Sequence, residues 1–401
     1  MNEIQGKRQE DGRERVARVV DALKATDLAA LIATLPTHVL MLTGYWPVIG
    51  TGFALFTRDG EIAVLAPEDE KQFAEQSWAN RIRTFSPSKL DTLTTPAIAA
   101  GEPLRALLKD MKLDCARLGY EYGAASEPSS YAGMNLYGMS VLDVIRNASP
   151  SAPLAPASEL LGRLNSSKTP AEVQRVRLSC NIAAKSFERG RKAIKARKTE
   201  ADVAAEYRKG FSVFGLANRN VQRADGFAWC MSGPNSAEAG AAFACSRNRK
   251  LQDGDMVLLH ANNYADGYWT DITRTQTLGE PDEKQRKIYS AIAEARQAAF
   301  AAIKPGAKCS AVDQAAREVI AKHGFAGNFP HSLGHGVGFA AISANARPRI
   351  HPASGEVLET GMTFNVEPAV YIHGYGGARH CDVVAVTNAG MELLTNFQND
   401  I

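Results

Sequence analysis

The stretch that most constrains the fold is "LLHANNYADGYWTDITRTQTLG", which covers residues 258–279. It has the pattern of two β-runs joined at Asp266-Gly267, a dipeptide typical of a tight hairpin turn. One run carries His260 and the other carries Asp271. Strand side chains alternate between faces, so an even-numbered loop places His260 opposite Asp271 or two residues from opposite. Both then point to one face, where burial of an imidazole and a carboxylate is costly unless they have partners. The stretch therefore predicts a polar site inside a sheet.

The bulk composition sets the class of protein. The chain has 401 residues, which suits two domains better than one. Hydrophobic residues make up 45% and charged residues 22%, as in a globular protein with a substantial core. The net charge of +3 gives no attraction to nucleic acid or to a membrane surface. The polar start "MNEIQGKRQEDGRERV" lacks the apolar segment of a signal peptide, and the six scattered cysteines form no CxxC pair. We expect a cytoplasmic protein with free thiols and no nucleic-acid or membrane partner.

The first part of the chain alternates strand and helix patterns. Residues 28–34 ("LAALIAT") read as a buried strand, residues 53–67 as a hairpin around Asp59-Gly60, and residues 103–112 as a helix. This alternation predicts an α/β domain with a partly parallel sheet.

A change in composition marks a domain boundary. Residues 147–158 ("NASPSAPLAPAS") are rich in Pro, Ala and Ser. We place the boundary between about Ala157 and Pro170, which gives domains of residues 1–165 and 166–401.

The second part combines amphipathic helices with β-hairpins. Apolar residues recur at steps of three and four from Val173 to Phe187 and again from Ile288 to Ile303. Ser310 with Asp313 resembles a capping box for a further helix. This pattern predicts an α+β domain, with helices on one face of a largely antiparallel, curved sheet.

A second predicted hairpin also carries polar, ligand-type side chains. "MTFNVEPAVYI" and "ARHCDVVAVT" flank the turn "HGYGG", so a turn centred near Gly374 places Glu367 opposite Cys381. Upstream lies "HSLGHGVGF", residues 331–339, whose glycines permit close approach of the backbone beside a site. Ligand-type side chains thus stand on short extended segments at five positions: His260, Asp271, His335, Glu367 and Cys381.

Each of these residues also has a structural explanation. Asp271 could cap its hairpin through Thr273, and His335 could be a satisfied core histidine. Glu367 could pair with Arg379, and Cys381 could be a small core hydrophobe. For any one of them the structural explanation is favoured. Asp271, His335 and Glu367 together favour a functional site.

The hairpin segments resemble the pita-bread metallopeptidase family, which includes aminopeptidase P, prolidase, methionine aminopeptidase and creatinase. "GYWTDITRT", "HSLGHGVG", "GMTFNVEPAVYI" and "GARHCDVVAVT" occur in the family's order and spacing, and "HVLMLTGY" resembles part of the creatinase-type N-terminal domain. The resemblance implies an α+β protein: a C-terminal pita-bread domain preceded by a smaller α/β creatinase-type N-terminal domain. It also implies a homodimer acting on a small peptide or an amide-containing small molecule.

The resemblance carries a ligand set with two departures. In the peptidases, Asp, Asp, His, Glu and Glu hold two metal ions, and the matching positions here are His260, Asp271, His335, Glu367 and Cys381. The first Asp has become His260 and the last Glu has become Cys381. The shuttle histidine expected after "SG" is absent, with Phe243 near its place. The chain retains His331 and Arg379 of the family pattern. We assign these two residues, together with Cys381, as candidate catalytic residues.

The altered set changes the expected cofactor. Replacing two carboxylates by imidazole and thiolate removes bridging oxygens, so a pair of hard ions is disfavoured. We expect one divalent ion, Zn²⁺ before Mn²⁺ or Co²⁺, with a metal-free site as the alternative. A third hypothesis pairs His260 with Cys381 as an imidazole-activated thiolate nucleophile.

Two function classes follow from these features. The first is a hydrolase of C–N bonds resembling an Xaa-Pro peptidase, favoured by the three retained ligands. The alternative is an inactive or metal-free member that serves as a binding protein or as a creatinase-like amidinohydrolase.

Overall fold

The computed structural model of the chain describes residues 2–47, 52–87, 95–121, 140–240, 245–341, 346–395 and 397. Contacts divide these residues into two compact units, the first ending at Asn165 and the second beginning at Ser166. None of the helices in these ranges is long and apolar enough to span a membrane.

The first unit alternates helices and strands along the chain. Its elements are α1 (Asn2–Lys24), β1 (Ala30–Ala33), α2 (Pro36–Thr43), β2 (Phe53–Thr57), β3 (Ile62–Pro67), α3 (Lys71–Ala74), β4 (Arg81–Phe85), α4 (Pro96–Asp110), β5 (Leu118–Tyr120), α5 (Ser140–Ala148), β6 (Leu154–Pro156) and α6 (Ser158–Ser166).

These strands form one mixed six-stranded sheet in the order β4-β3-β2-β1-β5-β6. The pairs β1–β2 and β2–β3 are antiparallel, whereas β3–β4, β1–β5 and β5–β6 are parallel. All four residues of β1 are buried, as expected for an uninterrupted apolar run in a central strand. The apolar face of α4, with Leu104, Leu107 and Leu108, packs in the same core.

The second unit holds four helices and eleven strands within the described ranges. They are α7 (Pro170–Arg191), α8 (Glu200–Leu216), β7 (Ala224–Ser232), β8 (Met256–Ala265), β9 (Tyr268–Trp269), β10 (Ile272–Thr277), α9 (Glu283–Ala302), α10 (Cys309–Lys322), β11 (Gly334–His335), β12 (Arg349–Ile350), β13 (Thr363–Val366), β14 (Ala369–Ile372), β15 (Gly376–Arg379), β16 (Asp382–Thr387) and β17 (Gly390–Leu393). Short 3₁₀ helices cover Gly233–Gly240 and Ala326–Asn328.

Every strand pair among the described residues of this unit is antiparallel. The sheet β10-β8-β7 carries β9 at one end of β8, and β13-β16-β17, β14-β15 and β11-β12 pair separately. The core lies between these strands and α9 and α10, where Ile288, Ile292 and Ala295 are buried. The three-and-four spacing of apolar residues therefore identifies the helix face that packs on the sheet.

The predicted capping box at the start of α10 is wrong. The helix begins at Cys309 after Lys308, and no side chain caps it. Asp313 instead receives a bidentate pair of hydrogen bonds from Arg317 and one from the backbone N–H of Leu333. The charge-assisted hydrogen bonds of Asp313 with Arg317 are stronger than a cap at the start of α10 would be. The spacing of Ser310 and Asp313 in the sequence does not reveal this competing partner.

Candidate active site

The first hairpin places His260 and Asp271 on one face. In the register of β8 and β10, Thr273 lies opposite His260, so Asp271 is two residues from opposite. The distance from His260 Nδ1 to Asp271 Oδ1 is 3.4 Å. An even-numbered loop thus correctly predicts that His260 and Asp271 lie two residues from opposite.

The strands of the second hairpin are interrupted at Glu367 and Cys381. Val366 pairs with Asp382 and Ala369 with Arg379, and this shared register places Glu367 opposite Cys381. Both residues lie in breaks between strands, beside Pro368, which has no N–H to donate to the ladder.

One backbone bridge joins the two hairpins. The N–H of Cys381 donates to Thr273 O over 3.0 Å, and the N–H of Thr273 lies 3.4 Å from Cys381 O. Cys381 is thereby held next to the segment that carries Asp271. Its thiol donates to the backbone oxygen of Asp271, with 3.1 Å between the sulfur and the oxygen.

His335 reaches the site on a short strand that packs closely on β13. A Cβ on Gly334 would lie 1.9 Å from the backbone oxygen of Asn365, so only glycine fits there. The backbone N–H of His335 donates to Asn365 Oδ1 over 2.7 Å. His335 Nε2 lies 3.3 Å from Asp271 Oδ2. The glycines of residues 331–339 thus allow the close approach that the sequence indicates.

Glu367 and Arg379 form the other side of the cluster. Arg379 Nε lies 3.8 Å from Glu367 Oε2 and donates to Thr273 Oγ1 over 3.0 Å. Arg379 Nη1 lies 3.3 Å from the hydroxyl oxygen of Tyr371, which is 3.1 Å from His331 Nε2. A continuous hydrogen-bonded chain therefore links His331 to the polar cluster around Asp271.

Burial and neighbouring charges perturb the pKa values of these groups. Burial alone would raise the pKa of Asp271, but nearby His260 and then the hydrogen bond with His335 lower it. Burial alone would lower the pKa of His335, but the hydrogen bond with Asp271 and the attraction to its charge raise it. Burial lowers the pKa values of His260 and His331 to about 4 and raises the pKa of Glu367 to about 7. His260 and His331 are therefore neutral at pH 7, and Asp271 is ionised.

Cys381 does not have the surroundings of an activated thiolate. It is fully buried, and burial followed by the nearby charges of Asp271 and Glu367 raises the pKa of its thiol well above the ordinary value. The thiol donates a hydrogen bond to the backbone oxygen of Asp271. These features favour a thiol that acts as a hydrogen-bond donor, because a reactive cysteine needs a depressed pKa.

The expected metal cage is not formed by these side chains as they are folded. Across the described ranges, no group of three or more His, Cys, Asp and Glu side chains is arranged to hold an ion. Asp271 Oδ2, His335 Nε2 and Cys381 Sγ instead surround an amide nitrogen, Asn365 Nδ2, at 3.2–3.6 Å. As folded, the donor set is therefore arranged around an amide nitrogen and not around an ion, and the ligand roles of His260, Asp271, His335, Glu367 and Cys381 stay predictions.

Sequence reasoning missed two residues of the cluster. Asn365 contacts Asp271, His335 and Cys381, and the hydroxyl of Thr273 bonds Arg379 and lies 3.0 Å from His260 Nδ1. A signal for Asn365 exists, since an amide two residues before Glu367 in an apolar strand shares its face and requires a buried partner. Phe243, near the expected shuttle position, lies outside the described residues.

Comparisons with known proteins identify the class. A model of metallopeptidase family M24 matches residues 174–388, and a model of the creatinase/prolidase N-terminal domain matches residues 15–160. The chain belongs to metallopeptidase family M24. The predicted fold class, an α+β pita-bread domain preceded by a creatinase-type N-terminal domain, is confirmed.

Individual relatives extend along most of the chain. The probable dipeptidase PepE of Mycobacterium tuberculosis is 30% identical over 80% of this chain and 87% of its own length. The Xaa-Pro dipeptidase of Pyrococcus furiosus is 28% identical over 97% of this chain and 99% of its own length. The solved structure of the prolidase from Pyrococcus furiosus has a TM-score of 0.74 and 26% identity, and the match covers 95% of this chain and 100% of that one.

Proposed function

We propose that this chain hydrolyses C–N bonds in small peptides or peptide-like amides, in the manner of an Xaa-Pro dipeptidase with a rebuilt site. The observation that carries the proposal is the convergence of Asp271, His335 and Glu367 from three separate segments into one buried polar cluster. The relatives named as dipeptidases support the same reaction class.

The chain's own groups can hold protons and stabilise charge, which are two of the tasks in amide hydrolysis. Asp271 and His335 form a carboxylate–imidazole pair with a separation of 3.3 Å, which can hold and transfer a proton. Arg379 adds a fixed positive charge within 3.8 Å of Glu367, and such a charge can stabilise an oxyanion or hold a substrate carboxylate. His331 joins this charge through Tyr371.

A divalent ion is the cofactor type typical of this family. Bound to an M24 site, it would supply Lewis-acid activation of the scissile carbonyl. The donor set as folded does not fit such an ion, so we assign the proton-holding and charge-stabilising roles to the chain's own residues. The single-zinc site remains a prediction, with the metal-free site as its alternative.

A binding protein on the same scaffold is the second candidate. The buried, hydrogen-bonded thiol of Cys381 and the two engaged nitrogens of His331 favour it, since neither group is free to react in the folded chain.

An activity screen separates the two candidates. Purified protein would be incubated with Xaa-Pro dipeptides, other dipeptides and N-acyl amino acids, in chelator-treated buffer and with added Zn²⁺, Mn²⁺ or Co²⁺. We expect turnover of at least one substrate and loss of that turnover in Asp271→Asn, which keeps the shape and removes the charge. Glu392→Gln, at a half-exposed carboxylate, is the control. Absence of turnover under every condition would leave the binding protein as the better assignment.

Three further expectations remain predictions. The resemblance implies a homodimer, which sedimentation of the full chain would test. A cytoplasmic location and the absence of nucleic-acid and membrane partners are the other two expectations, and they rest on the sequence alone.

A further inference from the structure

Asn365 is a fully buried amide in the middle of the polar cluster. It lies on β13, two residues before Glu367, and its neighbours in sequence, Phe364 and Val366, are apolar. Its Oδ1 accepts the backbone N–H of His335 over 2.7 Å. A backbone N–H can only donate, so this bond fixes which end of the amide is oxygen. Nδ2 must therefore be the end that faces the cluster.

Nδ2 lies close to one side-chain atom of each of three residues in the cluster. It lies 3.3 Å from Asp271 Oδ2, 3.2 Å from His335 Nε2 and 3.6 Å from Cys381 Sγ. These three residues are among the five positions that match the metal ligands of the family. One NH₂ group thus stands at the point on which a carboxylate, an imidazole and a thiol converge.

An ion cannot share with this NH₂ group the side of the three atoms on which Nδ2 lies. An ion bound there would stand about 2.0–2.3 Å from each atom, too close to a nitrogen that is itself 3.2–3.6 Å from them. The amide cannot turn away without losing the bond from His335 N–H, and that loss would leave a buried donor without a partner. The hydrogens on Nδ2 meanwhile give Asp271 Oδ2 and Cys381 Sγ the positive partners that an ion would otherwise supply.

We propose that the side-chain amide of Asn365 takes the place of the metal ion and holds Asp271, His335 and Cys381 together without one. The inference concerns the pocket of the proposed function, but it does not depend on turnover. It assigns Asn365 as a positioning residue whose polarity sets the metal requirement of the site.

Asn365→Asp is the sharpest test because it preserves shape and inverts polarity. The new carboxylate still accepts the N–H of His335, but it replaces a donor with an additional acceptor that faces Asp271 and Cys381. Such a cluster requires a cation. Asn365→Ala removes the amide and opens the space without adding charge. Asn388→Asp, at an exposed turn, is the matched control for the added charge.

Zinc binding would be measured on the full chain by equilibrium dialysis with elemental analysis, after chelator treatment, and by the shift in melting temperature on adding Zn²⁺. We expect Asn365→Asp to bind one Zn²⁺ at least tenfold more tightly than the wild-type chain and to melt higher in its presence. Asn388→Asp should match the wild type. If Asn365→Asp is insoluble without metal, Asn365→Ala serves for the comparison, with the same expected tenfold gain.

The inference is overturned if the wild-type chain retains stoichiometric Zn²⁺ as tightly as the variants. It is equally overturned if the folded variants gain less than tenfold. Activity enters neither criterion. A wild-type chain that binds no metal and turns over no substrate would refute the proposed function alone, whereas an active chain that retains Zn²⁺ would refute this inference alone.

Discussion

Asp382 is a buried charge with several partners, next to Cys381 in sequence, and its neutralisation tests how the second unit is held together. Its carboxylate is fully buried and accepts hydrogen bonds from Arg274 NH2 and the Thr395 hydroxyl, each over 2.7 Å, and from Arg296 Nε. Arg274 also donates to Cys381 O. The network therefore ties β10, α9 and β16 together and contacts the backbone of Cys381.

The cost of Asp382→Asn follows from this geometry. Burial alone would raise the pKa of Asp382, but Arg274, His380 and Arg296 hold it well below the ordinary value, so the group is ionised. The amide keeps one acceptor oxygen and turns the other into a donor that faces an arginine. Removing one member of a buried ion pair costs about 3–5 kcal/mol because the remaining charge loses its partner. We expect the variant to lose about that much free energy of unfolding.

Urea unfolding, followed by circular dichroism and tryptophan fluorescence, measures this loss. Glu392→Gln is the control, because Glu392 pairs with Arg177 over 2.7 Å but its side chain is 48% exposed. Exposed pairs contribute about 0–1 kcal/mol. If Asp382→Asn costs no more than Glu392→Gln, the buried network is not what stabilises this region, and the reasoning fails.

Two further predictions concern local geometry. Thr169→Ala removes the reciprocal capping box with Glu172 at the start of α7 and should lower the free energy of unfolding by about 1 kcal/mol, measured in the same titration; an unchanged midpoint would contradict the cap. Gly334→Ala places a Cβ 1.9 Å from Asn365 O and should cost about 1–3 kcal/mol, whereas Gly355→Ala, with no atom within 4 Å of the added Cβ, should be nearly neutral; equal melting temperatures for the two variants would contradict the close approach.

Much of the fold could be predicted because its signals are local. The hairpin turn at Asp266-Gly267 and the apolar steps along α9 depend on residues within a few positions of one another. The same holds for the faces of His260 and Asp271, since strand alternation needs only the parity of the loop. Asp313 shows the limit, because its partner Leu333 is distant in sequence and the predicted cap at α10 did not form.

The candidate site divides along the same line. The sequence by itself determined the two hairpins, the face on which each candidate side chain lies, and the membership of the family, because periodicity and motif order are properties of contiguous residues. Only the tertiary structure decided that the Cys381 thiol donates a hydrogen bond to Asp271 O. It also decided that the amide of Asn365 lies next to Asp271, His335 and Cys381. Those contacts depend on how two hairpins dock through the Thr273–Cys381 bridge, and hydrogen bonds change partner over shifts of about 1 Å that no local pattern encodes.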